Sequence, residues 1–495
     1  MNMKKNIDIA IKLCEESQYQ KAFRMAKKLL KHDKTNSYIL RVLTTATEKL
    51  GYKKDQKKYL LQLIKLVEDP IVYQNLALLY KEENNLEKSK LFFNKALDLN
   101  PNYVDCYNAL SMIYSLEYNF EKAEEMVMKS IALTEGTGRI FESYHFLANM
   151  YKNAGEYEKA LNIYIELIRL NYDSDQMKFN FSLVALKLHR YVDGFNFYRY
   201  RYSPHVKGAI SLVNDIPMLD KGINIDGKNI LLKGEQGYGD MIFFIRYIPL
   251  LLKENVKVTV VVDALVIKLF QVSFPNVEVV NQTFFEEYDY YLMMGDLGYY
   301  FDTEYDTIPY QEGYLRINKN DASSLYERYF KHEGKRKIGI VWRSTSVESE
   351  NETEAKAKER ELYNLALEDF LKYFNTEDVQ LYSLQLEITK KERELLELNN
   401  IPSLGDEFIS FYDNALAIYN LDTIIGIATS TILVSGAMGK ESVIMLPKSS
   451  PWIWGDSSME RSNWFKNIYI TRQKKRDSWV DVFEDTSQYL KEIKE

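Results

Sequence analysis

The chain has 495 residues, a length that suits about three domains and leaves ample material for buried cores without disulfide staples. Apolar residues make up 46% and charged residues 27%, a globular composition that excludes a disordered chain. The net charge of −7 argues against a nucleic-acid binder that works by neutralising phosphates.

The first residues, MNMKKNIDIAIKLCEES, turn polar too early for a secretory signal, and no run reaches the roughly 18 apolar residues of a membrane span. Cys14 and Cys106 are the only cysteines and cannot form a disulfide framework, which suits a reducing compartment. A cytoplasmic protein is expected. His32, His145, His189, His205 and His332 lie far apart, and none joins a Cys or carboxylate at metal-ligand spacing, so no metal site is expected.

From the N-terminus to about residue 205 the chain repeats itself. Leu76-Ala77, Tyr80, Ser89, Phe93 and Ala96-Leu97 recur 34 residues later as Leu110-Ser111, Tyr114, Ala123, Val127 and Ser130-Ile131. After a short insertion around Gly136–Arg139 they return as Leu147-Ala148, Tyr151, Gly155, Tyr157, Ala160 and Tyr164, then as Phe181-Ser182, Ala185, Tyr191 and Gly194. Leu43-Thr44, Gly51 and Leu60 keep the register upstream, as do Ile9-Ala10, Leu13, Tyr19, Ala22 and Ala26. Small residues that let two helices approach, alternating with large residues that fill the groove between them, resemble the tetratricopeptide pattern. About six repeats over residues 1–205 form an α-solenoid with a concave surface. Arrays of this kind mostly recognise protein, so a protein partner is expected, with a spacer or dimerisation platform as the plainer alternative. Asn84, Asn108, Asn149 and Asn180 fall on or near first helices, where they line the groove or are solvated. A D-x-D match at Asp173 and Asp175 falls between repeats.

Beyond Pro204 short apolar runs alternate with helical stretches: Asn229–Lys233, Val256–Asp263, Val277–Val280 and Asp289–Met294. The pattern restarts after the charged stretch Lys331–Lys337, with Lys337–Trp342, Val379–Gln385, Asp422–Ala428, Ser442–Pro447 and Ile468–Thr471. Such alternation predicts parallel sheets covered by helices, in two α/β domains over 206–330 and 331–495. The stretch Glu348–Glu361 reads as a surface loop or a lid near a cleft.

Two strand-to-helix turns carry candidate chemistry. The first is Gly234-Glu235-Gln236-Gly237-Tyr238-Gly239-Asp240, whose glycines allow positive φ and close backbone approach, and whose helix start favours an anion. Turn tightening alone is the alternative. A nicotinamide site with Asp263 on the ribose is disfavoured, because Ile242 stands where G-x-G-x-x-G needs its third glycine. The second is Ala428-Thr429-Ser430-Thr431, where hydroxyls and N–H groups at a helix start suit a diphosphate or serve simple capping. Gly436 to Lys440 has the wrong glycine spacing for a Walker loop. Trp452, Trp454, Trp464 and Trp479 are expected to pack the closing helices.

In this order the pieces resemble the GT-B glycosyltransferases of the bacterial heptosyltransferase-like superfamily, in the branch with N-terminal tetratricopeptide repeats. The resemblance covers about residues 225–485. It rests on Gly234–Asp240 with Arg246, Ile340-Val341-Trp342, Ser383-Leu384-Gln385, Thr429–Lys440 with Gly436 and Gly439, and the Trp-rich tail with Arg472-Gln473.

The resemblance implies two Rossmann-like domains with a cleft between them and metal-independent, inverting transfer of a sugar from a nucleotide-sugar to a protein hydroxyl. Asp240 would act as general base. Gly234, Glu235, Gln236, Gly237, Tyr238, Gly239 and Arg246 would bind substrate, and Trp342, Arg343, Arg360, Gln385, Thr429, Ser430, Thr431 and Gly436 the nucleotide-sugar. Flagellin or another surface protein is the implied acceptor, presented by the repeats, and no resident cofactor is expected. Where the family has an Asp before the Thr and a His four positions after it, this chain has Ala428 and Leu433. The alternatives are a non-catalytic scaffold and a transferase acting on a lipid or oligosaccharide.

Overall fold

The computed structural model describes residues 3–211, 216–284, 287–330, 334–344, 363–475 and 478–493. Arg360 and the stretch Glu348–Glu361 lie outside the described residues. The chain divides into two compact units, with the boundary between Ala154 and Gly155.

The first unit consists of nine helices among the described residues: α1 (Met3–Glu15), α2 (Tyr19–Leu30), α3 (Ser37–Lys49), α4 (Lys53–Leu63), α5 (Pro70–Glu82), α6 (Leu86–Leu99), α7 (Val104–Leu116), α8 (Phe120–Thr134) and α9 (Ile140–Ala154). The recurring small residues are why they stack. Ala22, Ala26, Ala46, Ala77, Ala96, Ala123 and Ala148 are all fully buried, each where a second helix crosses closely, while Leu43, Leu76, Phe93 and Leu110 fill the spaces between. The corners between paired helices also repeat, with one residue at positive φ in each: Ser17, Gly51, Asn84 and Tyr118. Asn84 is therefore a buried corner residue rather than a solvated groove side chain, and Asn108 is buried as well.

The second unit opens with α10 (Tyr157–Arg169), α11 (Asp175–Lys187) and α12 (Tyr191–Tyr198), which continue the same pattern with corners at Gly155 and His189. Two parallel sheets follow. The first comprises β1 (Asn229–Lys233), β2 (Lys257–Val261), β3 (Glu278–Val280) and β4 (Tyr290–Met293) in the order β3-β2-β1-β4. The second comprises β5 (Arg336–Val341), β6 (Val379–Ser383), β7 (Thr423–Ile427), β8 (Ser442–Leu446) and β9 (Ile468–Arg472) in the order β6-β5-β7-β8-β9. Every pairing is parallel, which explains why these strands are near-continuous apolar runs buried on both faces.

Both orders reverse direction once, beside β1 in the first sheet and beside β5 in the second. Ligands of open parallel sheets sit outside the carboxyl ends of the strands at such reversals. The ends concerned are Gly234 after β1, Trp342 after β5 and Thr429 after β7.

One core joins the two sheets. Phe243, Phe244, Tyr314, Ile432, Trp464 and Phe465 belong to a single buried cluster, together with residues of both sheets. The chain crosses between them where Tyr314 and Leu315 donate to Ala437 O at 2.7 and 2.8 Å. The crossing requires glycine twice: Gly313 and Gly439 both have positive φ, and a Cβ on Gly439 would fall 2.4 Å from Glu312 O.

Gly194 in α12 has a similar role. A Cβ there would lie 2.6 Å from the Leu186 side chain and 3.0 Å from its backbone nitrogen. Gly194→Ala should therefore lower stability by about 1–3 kcal/mol through overpacking, although alanine is the better helix former. Urea unfolding of the full chain checks the sign.

Candidate functional site

The glycine loop connects β1 to α13 (Tyr238–Phe244). None of Gly234, Gly237 and Gly239 has positive φ, so close approach rather than a left-handed backbone explains them. A Cβ on Gly234 would meet Met241 Sδ at 2.9 Å, and one on Gly239 would meet Leu433 Cδ1 at 2.9 Å and Ser430 Oγ at 3.7 Å. Gly239 thereby lets the start of α13 pack against α21 (Ser430–Ala437), the helix that follows β7. The intervening helices are α14 (Ile248–Leu251), α15 (Ala264–Ser273), α16 (Leu297–Tyr300), α17 (Lys319–Tyr329), α18 (Leu367–Phe374), α19 (Lys390–Leu398) and α20 (Phe411–Tyr419). The two loops singled out in the sequence are thus brought together.

Asp240 lies in the first turn of α13, with Oδ2 3.0 Å from where a Gly237 Cβ would stand. The space expected to hold an anion at this helix start is occupied by the protein's own carboxylate. Asp240 keeps contact with solvent while protein crowds it on most sides. Burial, reinforced by the neighbouring Glu235 charge and opposed by Arg201, pushes its carboxyl up to about 6.

Glu235 does not face a substrate. Its Oε1 accepts from Gly295 N–H at 2.7 Å and pairs with Arg201 at 3.3 Å, with both side chains buried. Arg201 also pairs with buried Asp296 at 2.7 Å and stacks between Tyr198 and Tyr202. This residue, in the 3-10 turn after α12, was missed by motif reasoning because no motif contains it. Gln236 is exposed, and Tyr238 stacks obliquely on Phe411 at 5.3 Å.

Arg246 is structural. It is fully buried, donates to Phe243 O, Trp464 O and the Tyr314 hydroxyl, and lies over the rings of Phe243 and Phe465. No face of it is left for a phosphate.

Around the second sheet, the Gln385 side chain ties two strand ends together. Its Oε1 accepts from the backbone N–H groups of Trp342 and Arg343 at 3.2 and 2.9 Å, and its Nε2 donates to Arg343 O at 3.3 Å. Trp342 is fully buried and donates from Nε1 to Glu392 at 2.7 Å, so it supports the site without touching a ligand. Arg343 pairs with the same carboxylate and donates to Glu387 O, while its Nε is buried without a partner. Burial acts to raise the Glu392 carboxyl, but hydrogen bonds from Thr389 and Trp342 and the Arg343 charge outweigh it and hold it low. Glu392 was legible as the end of a T-x-x-E capping box opening α19.

Thr429 is the N-cap residue of α21, but its side chain makes no capping hydrogen bond and its Oγ1 is buried without a partner. Simple capping therefore does not explain it. Gly436 faces away, packed on Ile468 and Phe465 where a Cβ would clash at 2.6 Å and 2.8 Å.

A cleft of about 260 Å³ is lined by Arg343, Gln385, Thr429, Ser430 and Thr431 from the second sheet and by Tyr238 from the first. Leu386 and Phe411 line it too and continue into a small apolar recess with Leu265 and Ile409. A separate cavity of about 220 Å³ over Asp321, Arg328 and Glu407 contains none of the sequence-predicted residues, and Arg328 and Glu407 there neutralise each other at 2.8 Å. Asp263 accepts from Leu265 N–H as the cap of α15, which removes it as a ribose ligand. Among the described residues no group of three or more His, Cys, Asp or Glu side chains could hold a metal ion.

Comparison with known proteins gives three matches to tetratricopeptide-repeat models, over residues 71–103, 92–125 and 141–174. The first half of the chain carries tetratricopeptide repeats. Protein FlbA of Caulobacter vibrioides is 22% identical over an alignment covering 95% of this chain and 87% of that protein. A tetratricopeptide repeat protein from Parabacteroides merdae is 16% identical, with a TM-score of 0.37 over 41% of this chain and 80% of its own. TTC0263, a thermophilic repeat protein of Thermus thermophilus, is 19% identical, with a TM-score of 0.29 over 37% of this chain and 99% of its own. No described helix is long and apolar enough to cross a membrane.

Because the folded state holds the Asp240 proton more tightly than the unfolded chain, the contribution of Asp240 to stability falls as pH rises from about 4 through about 6. Asp240→Asn should remove that loss, so its melting temperature relative to wild type should rise across this window and stay level above it. Arg246→Met should lower stability by about 1–3 kcal/mol by leaving Trp464 O unsatisfied. Denaturation curves of the variant and the wild type measure the difference.

Proposed function

We propose that the second unit is a glycosyltransferase of GT-B type that moves a sugar from a nucleotide-sugar to a Ser or Thr hydroxyl of a protein, without a metal. The observation carrying this reading is the convergence of Arg343, Gln385, Thr429, Ser430 and Thr431 on one cleft. The loop bearing Asp240 packs against that same cleft through Gly239.

In this reading the phosphates lie at the start of α21. The unpartnered Thr429 Oγ1, the free N–H groups of the helix and Arg343 Nε meet their charge. The rings of Tyr238 and Phe411, with Leu386, give apolar surface to the base. The acceptor oxygen attacks the anomeric carbon while the bond from that carbon to the phosphate oxygen breaks, and the electron pair leaves with the nucleotide. Asp240 takes the hydroxyl proton. A carboxyl raised to about 6 is ionised at neutral pH, yet more basic than an ordinary aspartate. The repeats would hold the acceptor chain and raise its concentration at the cleft, and a flagellin-like surface protein is the first acceptor to try, on the resemblance alone.

A second reading, a non-catalytic scaffold, is favoured by one observation: Leu433, an apolar side chain, fills the space against Gly239 where the family carries a histidine.

A thermal-shift and donor-hydrolysis screen against a panel of nucleotide-sugars separates the readings. A true donor at a hundredfold its Kd should stabilise the protein by about 2.7 kcal/mol. Asp240→Ala should keep that shift and lose transfer by about 10²–10⁴-fold. Absence of any shift with all sugars and free nucleotides would support the scaffold.

A further inference from the structure

The charge of the chain is unevenly placed. Residues 1–69 contain 16 of the 64 lysines and arginines but only 8 of the 71 carboxylates, so this stretch carries +8 and the remainder −15. Much of the excess lies on α2, whose sequence YQKAFRMAKKLL has no acidic residue. Its apolar side, Ala22, Phe23, Ala26 and Leu29, is buried in the array. Its other side exposes Lys21, Arg24, Lys27 and Lys28, continued by exposed Lys31.

None of these five cations has a carboxylate partner among the described residues: Lys21 donates to Gln18 and Lys27 lies over the Phe23 ring. The neighbouring second helix, α4, extends the surface. Tyr52 at its start packs on Phe23 at 5.8 Å, and exposed Lys54 and Lys58 likewise lack carboxylate partners. Other cations of the same unit are paired, as in Lys90–Glu117 at 2.8 Å and Lys129–Glu125 at 2.7 Å, and on α4 itself Lys53 pairs with Glu82 at 2.9 Å. The densest run of unpaired cations among the described residues of this unit is therefore on α2, extended in part by α4.

We infer that this face is a docking surface for an acidic segment of a partner protein. Like charges crowded on one face repel one another, and a matching negative surface relieves that repulsion while speeding encounter. Three occupants have suitable charge: an acidic polypeptide, an anionic bilayer and a nucleic acid. The last two are extended, and each would also run onto the rest of the same unit, where residues 70–154 hold 11 carboxylates against 8 lysines and arginines. A short acidic segment meets the basic face alone. The exposed side of α2 offers no apolar residue to insert into a bilayer, since its apolar side is already used in packing. The inference requires only that the array binds protein, and it holds whether or not the second unit transfers sugar.

The test uses the full-length protein and a fluorescein-labelled peptide of twelve alternating Glu and Ser residues, read by anisotropy. Phosphatidylserine vesicles and a labelled duplex DNA serve as parallel probes. The peptide should bind at 50 mM salt and weaken at least tenfold at 300 mM, because exposed pairs are screened over about a Debye length. Lys21→Glu/Arg24→Glu/Lys28→Glu should weaken it at least tenfold. The same reversal at exposed Lys372, Lys390 and Lys391 of the second unit should leave it within twofold, and circular dichroism confirms that both variants are folded. The inference is overturned if the peptide does not bind, or if both triple variants weaken it equally. It is also overturned if vesicles or DNA bind more tightly than the peptide and lose that binding on the α2 reversal.

Discussion

The close approach of Gly239 to Leu433 is the contact on which the second unit depends. With no side chain on Gly239, the start of α13 rests directly on α21, and the carboxyl ends of β1 and β7 come to face each other. A Cβ on Gly239 would require the Leu433 methyl to shift. The reversals in strand order put those same ends where a parallel sheet leaves a crevice, so the cleft is a consequence of topology before any side chain is chosen. The shared core of Phe243, Trp464 and Phe465 behind it keeps the two sheets as one body.

Charge is organised around that contact in two layers. At the cleft, Thr429 Oγ1 and Arg343 Nε retain capacity that no protein group uses. Behind them, Glu235 with Arg201 and Glu392 with Arg343 and Trp342 are closed pairs that hold the loops in place. Removing one member of such a buried pair leaves the other uncompensated, so these residues govern geometry more than they meet a ligand. Arg201 extends this supporting layer to the turn that ends the repeat helices, so the environment of Asp240 includes a residue contributed from beyond the sheets.

Much of this was legible in the sequence. The repeats were plain because alanine recurs wherever two helices cross, and the strands because parallel sheets demand apolar runs. Thr429 and Ser430, which line the cleft, could be singled out because hydroxyl residues at the end of a strand carry a geometric meaning of their own. Arg246, Trp342 and Gly436 were assigned to the ligand and lie in the core. Their residue types fit either place, and nearness in sequence does not fix a direction. Arg246 follows Asp240 by six residues but lies in the 3-10 turn beyond α13, where its guanidinium turns into the core to meet Phe243 O and Trp464 O. Glu235 and Arg201 pair across 34 positions, a separation only the folded chain reveals.

The central claim is that the cleft between the two loops holds a sugar nucleotide. Its most direct test is a crystal structure of the full chain soaked with the nucleotide-sugar that most raises its melting temperature. The account predicts phosphate oxygens at the start of α21 within hydrogen-bond distance of Thr429 Oγ1 and Arg343 Nε, with the anomeric carbon turned toward Asp240. A ligand bound elsewhere, or phosphates beyond reach of both groups, would contradict it.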